Sequence, residues 1–205
     1  MRASGRSPAP SDHASQTPIF WAGEQFAHDE RFHREIVHLS TETRLKHMAL
    51  HFCKYTGQFA TVLQNSDTAA LRFRTITDSF IISLCSANAL NFNLSEHIAP
   101  QIEGAATLRD LGLHLARQLY PAATLDDSWL LTAHAIHAAR MARACEKIDH
   151  LEAFPFRDEI QNAALRLCQI AIIAAYANSL DLASAVQDRR KEIRLRNPFI
   201  SLVTD

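Results

Sequence analysis

A short segment of this 205-residue chain occurs twice, and the repeat constrains how the chain can fold. Residues 87–92 (ANALNF) recur ninety positions later as residues 177–182 (ANSLDL). A second pair, residues 53–55 (CKY) and 145–147 (CEK), is offset by ninety-two. Offsets that agree within two residues favour a duplicated unit with a small insertion. The alternative is chance similarity between two alanine-rich helices.

Composition favours a folded, helical and soluble protein. Apolar residues make up 47 % of the chain and charged residues 21 %, which is ordinary for a globular domain. Only five glycines occur, so few tight turns are available and helices are favoured over short strands. The formal net charge of −1 argues against general nucleic-acid binding, because that function needs a basic face.

The cysteines and the apolar runs indicate where the protein works. Cys53, Cys85, Cys145 and Cys168 lack zinc-type or redox-type spacing and lie in apolar-periodic segments, which predicts buried, reduced thiols. The longest apolar run, residues 167–177, contains a glutamine and is too short to cross a bilayer. We therefore expect a cytoplasmic protein without a membrane partner.

Caps and apolar spacing predict an all-α fold with tandem helical hairpins. Ser40 and Thr107 are expected to cap helices, and the acids after Thr124 suit the start of another. Proline 155 sets a boundary. The predicted helices are 30–39, 45–63, 69–90, 107–119, 127–152, 158–180 and 182–196.

Pairing of these helices predicts the domain organisation. Two hairpins, 45–63 with 69–90 and 127–152 with 158–180, would bury their apolar faces together as a four-helix-type bundle with additional short helices. The expected units are a disordered tail (1–18), a first helical unit (19–98), a linker with a short helix (99–123) and a second, degenerate unit (124–205). One shared core is expected.

Histidines at helical spacing raise the possibility of a metal site. His47 and His51 share one helix face, as do His134 and His137, and such pairs can bind zinc if a third ligand is present. The alternative is that they are amphipathic residues at the edge of a core. Residues 35–38 (EIVH) match a single Glu-x-x-His element of di-iron bundles, without a second copy.

Acidic residues are the stronger candidates for chemistry. Asp78 lies on an otherwise apolar helix face, where a carboxylate must be paired, hydrogen-bonded or metal-bound. Glu146, Asp149 and Glu152 follow at three-residue spacing on one helix and offer the hard oxygen ligands that Mg²⁺ prefers. The alternative for these three is a solvated charged stripe.

The last predicted helix is rich in arginine. Arg189, Arg190 and Arg194 are candidates for a phosphate grip, because guanidinium groups bind phosphate in a bidentate manner. An exposed basic helix near its C-terminal end is the alternative, since the helix dipole favours cations there.

Three segments resemble one enzyme family. Residues 54–60 (KYTGQFA), 76–82 (ITDSFII) and 87–90 (ANAL) resemble the core of the MazG-type all-α nucleoside triphosphate pyrophosphohydrolases. The resemblance implies a helical bundle, commonly oligomeric. It also implies that a Glu-x-x-Glu helix and a following Glu-x-x-Asp helix hold Mg²⁺, which bridges a triphosphate while water attacks.

The chain departs from that family's acidic pattern. Tyr55 and Gln58 stand where the first two acids belong, and Thr75 stands at the third, so that Asp78 alone matches.

The second half matches the pattern no better. Glu146 or Lys147, followed by His150, fall near its first acidic segment, and Leu165 and Cys168 replace the acids of the second segment. If the halves meet, a composite magnesium site of Asp78, Glu146 and Asp149 is a further hypothesis.

The sequence therefore predicts a divergent MazG-like protein, catalytically impaired or inactive, that binds nucleotides or a protein partner as a monomer or homodimer. The first alternative is an active Mg²⁺-dependent pyrophosphohydrolase that uses the composite site and the arginines on a nucleoside triphosphate. The second is a helical adaptor unrelated to nucleotides.

Overall fold

The structure, a computed structural model, is all-helical over the residues it describes, which are 18–65, 67–98 and 107–196. Within these ranges the chain forms nine α-helices and no strand, which confirms the all-α prediction. The helices are α1 (Pro18–Phe32), α2 (Arg34–Val37), α3 (Thr41–Gln64), α4 (Ala69–Ala89), α5 (Leu94–Ile98), α6 (Leu108–Leu119), α7 (Asp127–Asp149), α8 (Phe156–Ala177) and α9 (Leu182–Arg196).

Side-chain caps fix helix starts, as at α3, α6 and α7. Ser40 Oγ accepts a hydrogen bond from the Thr43 amide at 3.2 Å, and Thr107 Oγ1 accepts one from the Asp110 amide at 3.0 Å. The Asp126 carboxylate does the same for the third helix, at 2.9 Å from the Trp129 amide. Each bond satisfies an amide that has no partner within its helix, which is why these polar residues mark helix starts.

Two predicted helix boundaries are wrong. The helix expected at 30–39 instead runs from Pro18 to Phe32 and is followed by the short α2, because Trp21 and Gln25 are buried and hold α1 on the bundle. Helix α7 ends at Asp149 rather than at 152, because Leu151 adopts a φ of 52°. The predicted tail, except for its last residue, and residues 99–106 of the predicted linker lie outside the described residues.

Four helices surround the main core. Helix α3 packs against α4 and α7, and α8 packs against the same two helices. Side chains from all four meet in the interior, where the largest fully buried ones include Phe52, Phe59, Phe80, Met141 and Leu167. Each hairpin buries its apolar face on the other, so neither could keep that face from water alone.

The remaining helices are arranged in the same way around each hairpin. Helix α1 packs on α4 as α6 packs on α8, and α9 packs on α4 as α5 packs on α8. The contact between α1 and α5 likewise has its counterpart between α6 and α9. The helices α1, α3, α4 and α5 of the first half therefore correspond, in that order, to α6, α7, α8 and α9 of the second half. By this criterion α6, assigned above to the linker, belongs with the second hairpin.

The register of this correspondence differs from the repeated letters of the sequence. The turn after α4 contains Asn91 with a φ of 50°, and the turn after α8 contains Ser179 with a φ of 54°. The matching turns are therefore 88 residues apart (179 − 91). In each turn an amide reaches back five residues, from Phe92 to Ala87 and from Leu180 to Ala175, both at 2.9 Å.

Residues that the sequence repeat aligns with each other consequently have different structural roles. The Asn88 side chain donates to the Ala22 carbonyl on α1, whereas Asn178 donates to the Ala174 carbonyl of its own helix. Cys53 is exposed and Cys145 is buried. The sequence repeat, with its offsets of ninety and ninety-two residues, therefore does not give the structural register of the two halves.

Helix α8 is apolar because it is the central helix of the bundle. By length and composition it is the one helix in the described ranges that could cross a membrane, but 67 % of its apolar window is buried inside the protein. Contacts with α4, α5, α6 and α7 account for that burial.

A glycine permits the close approach of α6 to α8. A Cβ at Gly112 would lie 2.6 Å from Tyr176 Cβ and 2.9 Å from the Ile172 carbonyl oxygen, whereas a Cβ at Gly57 on α3 would meet nothing within 4 Å. We expect Gly112→Ala to lower the free energy of unfolding by about 1–3 kcal/mol through overpacking. The matched control Gly57→Ala should raise it by about 0.5–1 kcal/mol through helix propensity.

Urea unfolding followed by circular dichroism measures both changes. An unchanged or increased stability of Gly112→Ala would contradict the close α6–α8 contact.

Candidate functional site

A cavity of about 250 Å³ lies between α1, α2, α3, α4 and α9. Its wall is part apolar, from methionine, isoleucine and valine, and part polar. The polar and titratable side chains that line it are Gln25, Asp29, His33, Arg44, His47, His51, Lys54, Tyr55, Asp78, Cys85 and Arg189.

Asp78 is partnered, as its apolar setting required, by an arginine from the other end of the chain. Arg189 on α9 donates from Nε to Asp78 Oδ1 at 2.7 Å and from NH2 to Oδ2 at 3.3 Å. Its NH1 donates to Glu192 at 2.7 Å. The Asp78 and Arg189 side chains are only 15 % and 16 % exposed. A bidentate pair this deep holds the carboxylate in one orientation.

The other positions named by the family resemblance also meet between α3 and α4. The Thr75 hydroxyl lies 3.1 Å from the Gln58 side-chain oxygen, and Tyr55 lines the cavity together with Asp78. Burial, and then the Asp78 carboxylate, raise the pKa of Tyr55 far above its usual range. Three of these four side chains are therefore neutral at physiological pH.

His47 and His51 form one hydrogen-bonded pair on the cavity wall. Their Nε2 atoms are 3.1 Å apart, and His51 Nδ1 lies 3.2 Å from Lys54 Nζ and 3.2 Å from the Tyr55 hydroxyl. Because a lysine ammonium only donates, His51 Nδ1 must accept, so His51 carries its proton on Nε2 and donates it to His47. Burial, and then Lys54, lower the pKa of His51 to about 4, so His51 is neutral at pH 7.

Two cations in the cavity wall have no carboxylate partner. Among the described residues, the Arg44 guanidinium makes no ion pair or hydrogen bond, and its Nε is buried. Lys54 contacts His51 and lies 4.7 Å from the centre of the Tyr55 ring. Arg189 is a third cation in the wall, and the two carboxylates in the wall are those of Asp29 and Asp78. The wall therefore carries an excess of positive charge.

The predicted composite magnesium site is not assembled. Asp78 is bound to Arg189, whereas Asp149 is bound to Lys46 near the start of α3, and Glu146 is exposed. Within the described ranges these three carboxylates do not form a group with ligand atoms within 4.8 Å of one another. Glu146 and Asp149 lie at the C-terminal end of α7, outside the cavity wall.

The predicted arginine cluster is divided among three environments. Arg189 is bound to Asp78, as described. Arg190 donates to Gln25 Oε1 at 2.9 Å and to the Trp21 carbonyl at 3.3 Å, with its guanidinium 5.5 Å from the Trp21 ring centre. Arg194 is exposed. Arg190 thus fastens α1 to α9, and the three do not form one phosphate grip.

His134 belongs to the core rather than to a zinc pair with His137. Its Nδ1 lies 3.0 Å from the Thr56 hydroxyl and its Nε2 lies 3.3 Å from the Ser79 hydroxyl, so both nitrogens are occupied. The residue is 1 % exposed, and burial lowers its pKa to about 3. It links α3, α4 and α7.

Three cysteines are buried and one is not. Burial raises the pKa of Cys145 to about 11 and of Cys168 to about 12, and raises that of Cys85 well above its usual value. Cys53 is exposed, so its predicted burial is wrong; it lies on the outer face of α3. A raised pKa keeps these three thiols protonated, and a protonated thiol is a poor nucleophile.

Sequence reasoning missed Arg44, Asp29 and His33 as members of the site. Asp29 and His33 are four residues apart, the same helical spacing that drew attention to the other histidine pairs. The first helix was predicted to start at residue 30, so Asp29 fell just before it and His33 in its first turn. In the structure Asp29 lies in the last turn of α1 and His33 directly follows that helix.

Comparison with protein-family models, curated proteins and solved structures gives no significant match. The function is therefore argued from the cavity and from the residues that line it.

Stability should depend on pH through His134. Its folded pKa of about 3 lies below the unfolded value of about 6.5, so the unfolded chain binds the proton first as the pH falls. Its contribution is complete above about pH 6.5 and is lost progressively toward pH 3, at up to about 1.4 kcal/mol per pH unit. We expect His134→Gln to reduce the slope of unfolding free energy against pH between pH 6 and 4.5.

The exposed residue His114 provides the matched control, because His114→Gln should leave that slope unchanged. Urea unfolding at several pH values measures both, and equal slopes for wild type and His134→Gln would contradict the neutral, buried imidazole.

Proposed function

We propose that this protein binds a small phosphate-bearing ligand of the nucleotide class in the cavity and does not hydrolyse it with magnesium. It would then be a divergent MazG-like protein that has kept a ligand cavity and lost the catalytic metal centre.

The observation that carries the proposal is the unpaired Arg44. A guanidinium with a buried Nε and no acceptor leaves a charged donor group unsatisfied, which is costly unless something else supplies the acceptor. A phosphate does so well, because its oxygens match the planar donor geometry of arginine. Lys54 adds a second cation in the same wall.

The apolar part of the wall suits the rest of such a ligand. Met48, Ile81 and Ile82 line the cavity beside the polar groups. Ligand pockets typically combine apolar walls with a few fixed polar groups and have volumes of about 300–1,000 Å³. A cavity of about 250 Å³ lies just below that range, so it favours a ligand no larger than a mononucleotide.

The state of Asp78 supports the loss of magnesium chemistry. Mg²⁺ is bound through oxygen ligands in near-octahedral geometry, commonly by carboxylates together with substrate phosphates. In this chain the carboxylate is already bound by the Arg189 guanidinium, and Tyr55, Gln58 and Thr75 offer no further carboxylate. A fixed organic cation therefore stands where the resembled family would place its metal ion.

The second half offers no replacement. In the backbone register of 88 residues, Thr75 corresponds to Ala163 and Asp78 to Arg166, instead of the residues Leu165 and Cys168 paired by the repeated letters. Arg166 donates to Gln169 at 3.0 Å. An arginine at the position of the acid disfavours a cation there.

Ligand binding is tested with Arg44→Gln. We expect nucleoside mono-, di- or triphosphates to raise the thermal midpoint of the wild-type protein without magnesium. Arg44→Gln should weaken the affinity by about 10–150-fold, which corresponds to a lost charge-assisted hydrogen bond of about 1.5–3 kcal/mol. Titration calorimetry with the best-binding nucleotide measures the change.

The control is Arg117→Gln, because Arg117 is exposed on α6 and does not line the cavity. It should bind like the wild type. The proposal fails if no nucleotide or inorganic phosphate binds, a result that would favour the helical adaptor, or if the Arg44 variant binds normally.

Absence of hydrolysis is a separate prediction. With a panel of nucleoside triphosphates and excess Mg²⁺, the protein should release no pyrophosphate above the rate of a heat-denatured sample. Release that is abolished by Asp78→Asn, but kept by Asp149→Asn, would instead establish the active pyrophosphohydrolase.

A further inference from the structure

We infer that the end of α1 carries a site for a divalent transition-metal ion of the zinc class, formed by His28, Asp29 and His33. This inference does not depend on the proposed ligand, because it rests on other residues and can be tested without any nucleotide.

The three side chains converge where α1 ends. The helix stops at Phe32, and the His33 amide still bonds to the Asp29 carbonyl at 2.8 Å, which holds His33 above Asp29. One potential ligand atom from each of His28, Asp29 and His33 lies within 4.8 Å of the other two. His28 Nδ1 and Asp29 Oδ1 are 3.6 Å apart. Ligand bonds of about 2.0–2.2 Å in a tetrahedral site need ligand separations close to that value.

The environment of His28 is a second observation, independent of the convergence of the three side chains, that indicates a bound metal ion. Its side chain is only 8 % exposed, yet neither ring nitrogen has a hydrogen-bond partner among the described residues. A buried imidazole with two unsatisfied nitrogens is unusual, because buried polar atoms nearly always find a partner. A metal ion supplies that partner, since a neutral imidazole nitrogen is among the commonest ligands in proteins.

Neighbouring groups already orient the other two ligands. Asp29 accepts hydrogen bonds from Gln25 Nε2 at 2.7 Å and from the Cys85 thiol at 3.1 Å. His33 Nδ1 lies 3.3 Å from a Glu35 carboxylate oxygen. A carboxylate on one imidazole nitrogen leaves the other for the ion, as is usual around histidine ligands of metals.

The donor set selects the class of ion. Two imidazoles and one carboxylate suit Zn²⁺ or a similar first-row ion, whereas Mg²⁺ prefers oxygen ligands throughout. Asp29 and His33 also line the cavity. Three protein ligands leave at least one coordination position for water or a bound molecule.

The test is zinc binding by the tag-free, metal-stripped protein. We expect one Zn²⁺ per chain in competition with a chromogenic chelator, a raised thermal midpoint and no comparable effect of Mg²⁺. Co²⁺ should give the visible absorption of a low-coordinate nitrogen and oxygen site. His28→Gln and His33→Gln should each lower zinc affinity by more than about 100-fold, and Glu35→Gln by about 10–100-fold.

Two histidine controls make the assignment specific. His38→Gln, an exposed neighbour, and His47→Gln, from the other histidine pair, should retain wild-type zinc affinity. Circular dichroism of each metal-free variant shows whether it is folded. The inference is overturned if wild-type protein binds zinc no better than the folded His28 and His33 variants, or if His47→Gln removes the site.

The two proposals fail separately. Arg44→Gln should keep its zinc affinity, and His28→Gln should keep the zinc-free binding of nucleotide. Loss of both properties in either variant would mean that the two sites are one, contrary to this inference.

Discussion

The packing of α4 against α8 is the contact on which the rest of the structure depends. It requires two long helices to approach closely, and α4 presents small serines to the interior for this purpose. Ser83 and Ser86 are fully buried, but their hydroxyls donate to the carbonyls of Phe80 and Ile82 on their own helix. Because the polar groups are satisfied locally, the serines can face an apolar partner without loss. Helix α8, which packs on α4, carries five small buried residues: Ala163, Ala164, Ala171, Ala174 and Ala175.

This contact also decides where a site can form. Each hairpin binds its partner through one face, and the outer face of α4 is left for α1 and α9. Helices from the two ends of the described chain thereby reach α4, and Arg189 meets Asp78 across 111 residues of sequence. Around α8 the same positions are taken by α6 and α5, but an arginine replaces the acid. The two halves share a packing scheme and differ in charge, so the polar cavity forms beside α4, where α9 of the second half supplies Arg189.

Local chemistry made much of the fold predictable, whereas contacts between residues far apart in the sequence were not predictable. Ser40 and Thr107 marked helix starts because a cap is a bond within four residues. Asp78 was singled out because its neighbours are apolar, but nothing local says that Arg189 is its partner. The repeated letters misled for a related reason: the same residue type can be exposed in one half and buried in the other, as Cys53 and Cys145 show. The end of α1 was missed because the first helix was predicted to start at residue 30, whereas α1 starts at Pro18.

The charges around Asp78 form one consistent set. A magnesium ion must be captured from solution, and a single carboxylate holds it weakly because the ion keeps most of its water. The Arg189 guanidinium on α9 belongs to the chain itself, so the two carboxylates of Asp78 and Glu192 are sufficient to hold it. Further acids at Tyr55, Gln58 or Thr75 would add unbalanced negative charge beside a half-buried pair, which is unfavourable. The neutral residues and Arg189 are therefore electrostatically consistent with one another, and Arg44 and Lys54 are the cations of the cavity wall without a carboxylate partner among the described residues.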